Sequence, residues 1–309
     1  PMDFVVNWLA SVPIFAIPLV IAALGLVINE RAGVLNLGAE GIMLCGTLAG
    51  VAAYLEFGNS VAAGLLGAVL AGMLISTMFA ILVVFFRANQ VVTGITLVFF
   101  GSGLTGLVGT PWTDKALRGL TSIHIPWLSD IPVIGKIFLS QDPMAYVTVG
   151  LVVLVWQFLY RTRTGLELRA VGENPQAADA DGVNVPAYRF FAVIIGGGLI
   201  GLAGGYLSLS AAKIFVFEMT QGRGWIAIAL VIFARWMPWR VVLGGLLFGG
   251  IEALVPRIMA AGLPVPQYFL QMTPYLATLV VLIYAAVRET GGQGAPSALG
   301  TPYVRQDRR

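Results

Sequence analysis

Apolar runs of about twenty residues recur along the whole chain, and no other property of the sequence restricts its fold as strongly. A helix that crosses roughly 30 Å of hydrocarbon at 1.5 Å per residue needs about that length. Nine such segments can be read, at 8–28, 34–54, 61–86, 91–109, 145–160, 189–210, 224–236, 241–260 and 269–287. None shows the period-two alternation of membrane β-strands. The expected fold is therefore all-α: a polytopic transmembrane helix bundle of about nine membrane segments. Charge agrees with this. Only 11% of the 309 residues are charged and 58% are hydrophobic, whereas a soluble domain carries about 25% charged residues. So few charges cannot cover a water-facing surface, so the lipid bilayer is the expected surrounding and nucleic acid is not an expected partner. Residues 1–288 read as one membrane domain and 289–309 as a flexible tail. Cys45, the single cysteine, lies within an apolar run and excludes an intrachain disulfide.

Arginine placement suggests an orientation. If the connection after the fifth segment is cytoplasmic, alternation puts Arg31, Arg87, Arg161, Arg163, Arg169, Arg189, Arg235, Arg240, Arg288, Arg305, Arg308 and Arg309 inside. That is twelve of 18 basic residues. Lys115, Lys136, Lys213, Arg118, Arg223 and Arg257 fall outside. The expected topology has the N-terminus outside, the C-terminus inside and the chain in a bacterial plasma membrane. A long external segment at 110–143, with the sole histidine His124, could carry a short interfacial helix.

The other long connection, 161–188, is the most informative stretch. Asn174 is a good N-cap, and Pro175 fits the first helical position because its missing N–H would be unpaired there anyway. Residues 176–180 favour helix, and Gly182 suits a left-handed stop. Two turns of helix are marginal alone in water, so this piece needs something to dock against. An ordinary solvated loop containing a turn fits the spacing equally well.

The run GLELRAVGENPQAADADGVNV within this loop resembles the coupling loop of the ABC-importer permeases that serve branched-chain amino acids, simple sugars and nucleosides. GLVINERAGVLNLGAEGIML (25–44) resembles a second hallmark of that family and NQVVTGITL (89–97) a third. The likeness spans about residues 25–284 and is greatest to the nucleoside subgroup, with sugar or riboflavin permeases as the alternative. The resemblance implies that Glu173, Asn174, Pro175, Gln176, Ala177, Ala178 and Asp179 contact a separate ATPase subunit. It also implies a second, homologous permease subunit in a heterodimer and a solute-binding protein on the outer face. No G-x-x-x-x-G-K-[ST] phosphate loop occurs; Gly135–Lys136 is followed by Ile137. ATP and Mg are therefore expected on the partner, with no cofactor, no metal and no catalytic residue in this chain.

Ionisable groups within membrane helices cost about 2.5–3.5 kcal/mol near the centre and need a reason. Glu40 lies some six residues into the second segment, and Asn36 shares its helical face. Bracing of a bend near Gly33, Gly38 and Gly41 is the preferred reading, and lining of a translocation path is the alternative. Glu252, mid-way along the eighth segment, has no partner readable from sequence. Asn89, Gln90, Thr93 and Thr96 begin the fourth segment as either caps or path lining. Glu218, Gln221 and Arg223 read as surface groups at the outer mouth. Gly197, Gly201 and Gly205, like Gly245 and Gly249, have the four-residue spacing that lets helix backbones approach closely. An intramembrane enzyme lacks parts, with no buried Ser–His pair and no G-x-S-x-G elbow. A proton-coupled secondary transporter could use Glu40 and Glu252 but has no need of the capped helix at 174–182.

Overall fold

The computed structural model describes residues 2–122, 135–260, 266–288 and 294–305. The described residues form eleven α-helices: α1 (Met2–Arg31), α2 (Ala39–Glu56), α3 (Val61–Ala80), α4 (Gln90–Val108), α5 (Pro143–Arg161), α6 (Arg163–Glu173), α7 (Pro175–Ala180), α8 (Val185–Tyr206), α9 (Arg223–Phe233), α10 (Pro238–Ala260) and α11 (Gln267–Arg288). Single wide turns extend α3 over Ile81–Phe85 and α8 over Leu207–Ala211. His124 and residues 123–134 of the expected external loop lie outside the described residues.

The all-α expectation holds, but the count of nine does not. Six described helices are long and apolar enough to cross a membrane, at 4–31, 61–85, 90–108, 143–161, 185–211 and 238–260. The second expected segment shrinks to the 18 residues of α2, because residues 32–38 form a turn instead of helix, and α2 is almost wholly enclosed by its neighbours. The seventh, expected over 224–236, becomes the 11 residues of α9, which stops at Phe233 because residues 234–236 form a turn. At 1.5 Å per residue α9 spans about 16 Å, half the hydrocarbon thickness. The ninth corresponds to α11, which is not among the six; part of its length lies outside the residues whose side chains are described.

Close backbone approach builds the centre. α2, α3 and α8 pack mutually. A Cβ placed on Gly201 would overlap the Ala68 carbonyl oxygen, and one on Gly46 would overlap that of Gly201. Gly245 and Gly249 serve α10 against α1 in the same way: a Cβ on Gly249 would sit 2.7 Å from the Ala16 amide nitrogen. The glycine spacing is thus packing within one chain. α1 is the central post. Its residues from Ala16 to Glu30 are all buried, with Gly25 set directly against Gly196 of α8, and it touches α5, α8, α9 and α10.

The stretch read as a cytoplasmic loop is mostly helical. α6 starts at a Thr162 cap whose hydroxyl accepts from the Gly165 amide at 3.0 Å. Its apolar face of Leu168 and Val171 turns inward, and its outer face carries Arg163 and Glu167. Among the described residues, 294–305 lie against the bundle instead of hanging free: the Ala298 amide donates to the Gly172 carbonyl at 2.9 Å and the Gly300 amide to that of Gly33 at 3.2 Å.

Candidate functional site: a mid-bundle junction and a helical foot

Two sites emerge, joined by the turn at residues 32–38. Within that turn Asn36 is fully buried, and its Oδ1 accepts from the Gly38 amide at 3.0 Å; its amide nitrogen has no partner among the described residues. The Leu35 amide donates to Gln90 Oε1 at 2.7 Å, which ties the turn to the first residue of α4. Glu40 lies in the first turn of α2 next to Gly41, which packs against Leu97, seven residues and about 10 Å along α4 from Gln90.

Glu40 does bind backbone N–H groups, as bracing requires, but not those of its own bend and not Asn36. Its Oε1 accepts from the Thr220 hydroxyl at 2.6 Å and from the Gly222 amide at 2.8 Å, and its Oε2 from the Gly224 amide at 2.6 Å. The two amides lie at the start of the half-length helix α9, where backbone donors have no partner within the helix. A carboxylate there also complements the positive end of that helix. Glu40, 7% exposed, is therefore an N-cap delivered from α2 to α9.

A second buried pair lies beside it. Glu252 of α10 is 8% exposed, and its Oε2 faces Arg223 Nη2 at 3.2 Å and Nε at 3.3 Å. Arg223 is thus an interior partner, contrary to the surface role expected of it. Gln221 and Glu218 are exposed, as read, with Glu218 Oε1 accepting from the Ser102 hydroxyl at 3.0 Å. The Tyr275 hydroxyl of α11 donates to the Gln221 carbonyl. Together with Phe15, Pro256 and Pro274, these groups surround a cavity of about 550 Å³. Thr220 and Arg223 were missed as partners of the acidic residues. The usable signal was charge balance, an arginine and a glutamate both set in apolar surroundings.

Asn89 and Thr93 do not join this cluster. Asn89 caps α4 by accepting from the Val92 amide at 3.0 Å, and the Thr93 hydroxyl turns back to the Asn89 carbonyl at 2.8 Å. Of that polar start, Gln90 is the buried member that reaches across to the turn.

The second site is α7, the helical foot of the bundle. Asn174 Oδ1 accepts from the Ala177 amide at 3.0 Å, Pro175 takes the first turn, and Gly182 has φ +89°, the left-handed stop its sequence announced. Pro175 and Ala178 face inward; Ala178 is 4% exposed and packs with Val171 and Val185. The free face presents Gln176, Ala177 and Ala180, with Glu173 and Asn174 at its start. Asp179 is half-buried and pairs with Arg305 at 3.3 Å. α6 is held from behind: Glu167 accepts from the Tyr188 hydroxyl and from Arg163, and these bonds keep its carboxyl below the usual carboxylate range.

Residues 8–286 match the family described as branched-chain amino acid transport system, permease component. The chain belongs to this permease family. Three relatives match over nearly the whole of both chains. The permease is 39% identical to the putative glucose ABC transporter permease protein TsgC13 of Haloferax volcanii, over 99% of each chain. It is 36% identical to the guanosine ABC transporter permease protein NupQ of Bacillus subtilis, over 96% of this chain and 95% of that one. It is 34% identical to the nucleoside ABC transporter permease protein NupC of Lactococcus lactis, over 96% of each. With six apolar helices of crossing length, this ABC permease is a multi-pass membrane protein.

Proposed function

We propose that this permease forms part of the translocation path of an ABC importer for nucleosides and works by alternating access. α7 carries the reading. A two-turn helix, marginal by itself, is capped at one end, stopped at the other and seated on its inner face, while Gln176, Ala177 and Ala180 are left bare for a partner. An ATPase subunit gripping that face binds ATP and Mg and supplies the work. The coupling loop and the C-terminus then face the cytoplasm, and a solute-binding protein delivers from the opposite side to this chain and a second, homologous permease subunit. Inside the bundle, both Glu40 oxygens are engaged by fixed donors. That suits a mechanical joint better than a proton carrier and favours ATP-driven over proton-coupled transport.

The substrate class rests on the guanosine and nucleoside permeases that resemble the chain over 96% of its length. The glucose relative supports a simple sugar as the second reading. The test is reconstitution with the ATPase and binding protein encoded beside it. ATP-dependent uptake of labelled guanosine, insensitive to uncouplers and not displaced by glucose, is expected; glucose uptake alone would reverse the substrate order. Orientation is checked separately with single cysteines at Asn184 and Lys115, both exposed, in a Cys45→Ala background. An impermeant thiol reagent on intact cells should label position 115 and spare 184.

A further inference from the structure

We propose that residues 294–305 act as a coupling strap, a positioning element that binds α7, α6 and the 32–38 turn into one body so that motion of α7 reaches the Glu40 junction. The proposal rests on the reading of α7 as the ATPase contact. The strap touches each part of the relay in turn. Arg305 pairs with Asp179 on α7. Tyr303 packs on the cluster of Val171, Ala178 and Val185, which joins α6, α7 and the start of α8. The Ser297 amide and hydroxyl donate to Glu173 Oε2 at 3.2 and 3.0 Å, and the Ala298 amide to the Gly172 carbonyl at 2.9 Å. The Gly300 amide reaches the Gly33 carbonyl at 3.2 Å, seven residues before Glu40.

Arg189 supplies an independent observation. It is 3% exposed at the start of α8, and its Nη1 donates to the Thr301 carbonyl at 2.8 Å, while Nε and Nη2 have no partner among the described residues. A buried guanidinium whose hydrogen bond comes from the strap makes the strap part of the fold of this end and not a surface decoration. Without it, α7 keeps its short connections and the packing of Ala178 on Val171 and Val185, and loses the Arg305 pair and the Ser297 bonds that tie it to the strap. With it, a push on α7 is delivered to the turn that ends in Glu40, and from there to the first amides of α9.

Gly300 gives a clean handle. Its φ is +76° and no neighbour crowds it, since a Cβ there would lie 4.0 Å from the nearest Leu35 atom. Valine strongly disfavours that left-handed backbone, whereas asparagine tolerates it. The complete transporter in proteoliposomes is assayed for ATP hydrolysed per solute imported. Three forms are compared with the parent: a chain ending at residue 293, Gly300→Val and Gly300→Asn. The first two should assemble with the ATPase and hydrolyse ATP yet consume several-fold more ATP per solute, while Gly300→Asn stays near the parental ratio. A merely structural strap would lower hydrolysis and uptake together and leave the ratio unchanged. An unchanged ratio in Gly300→Val, or in the shortened chain, overturns the strap. Absence of ATP-dependent uptake in the parent would instead overturn the importer reading on which it rests.

Discussion

Glu40 and Glu173 are both carboxylates that accept from backbone N–H groups distant in sequence, yet they make opposite kinds of joint. Glu40 is buried and takes three donors at 2.6–2.8 Å, the furthest 184 positions along the chain. Glu173 is exposed, and its two bonds to Ser297 are longer, at 3.0 and 3.2 Å. In a low-dielectric interior a satisfied polar cluster is strong, and an unsatisfied one is expensive. At the surface, water replaces either partner at little cost. The junction at α9 is therefore a buried joint that is costly to break, whereas the Glu173 contact is a weaker tie that works together with the other strap contacts around α7.

The comparison breaks most visibly at Glu40. Glu40→Leu leaves one hydroxyl and two amides unpaired at about 1–3 kcal/mol each, so the melting temperature should collapse or the protein should fail to accumulate. Glu40→Gln keeps an acceptor oxygen but turns an NH₂ toward donors, and should fall between the two. A Glu40→Leu protein as stable as the parent would remove the buried joint altogether. The next largest effect is expected at the ion pair. Removing one partner of a buried pair costs about 3–5 kcal/mol, whereas apolar replacement of both is often neutral. Arg223→Ala should thus melt well below the double variant Arg223→Met, Glu252→Leu. If the single variant is the more stable, the pair is effectively solvated and belongs with the surface contacts. The smallest stability effect is expected on α7. Ala177→Arg, on the free face, should leave melting unchanged but reduce copurification of the ATPase. Ala178→Arg, aimed into the cluster with Val171 and Val185, should lower stability by about 1–3 kcal/mol. Equal melting of these two variants would contradict the inward packing of Ala178.

What could be read from the sequence was what is local. The limits of α7 follow from Asn174, Pro175 and Gly182, each acting on its own neighbours, and the glycine spacing of α8 and α10 announces close packing without naming the facing helix. Glu40 stood out because a carboxylate in an apolar run is costly, but its partners are some 180 residues away and no periodicity connects them. Hydropathy also misjudged helix count. It records apolar length and not where the backbone leaves the helix, as it does in the turn before α2 and in the turn after α9. Arg223 was assigned to the surface because arginine is usually found there; its burial depends on Glu252 from another helix. The tail was read as free because its composition is polar and small, and backbone hydrogen bonds such as those of Ala298 and Gly300 leave no trace in composition.

The glycine contacts among α2, α3 and α8 have a mechanical consequence. Where backbones touch, as Gly46 and Gly72 do against Gly201, a helix cannot roll without driving one main chain into another, because no compressible side chains lie between. Those three helices form a stator. α10 is held to α1 in the same way at Gly249, so α9 is the helix joined to its neighbours through side chains: the Glu40 carboxylate of α2 at its start and the Arg223–Glu252 pair with α10.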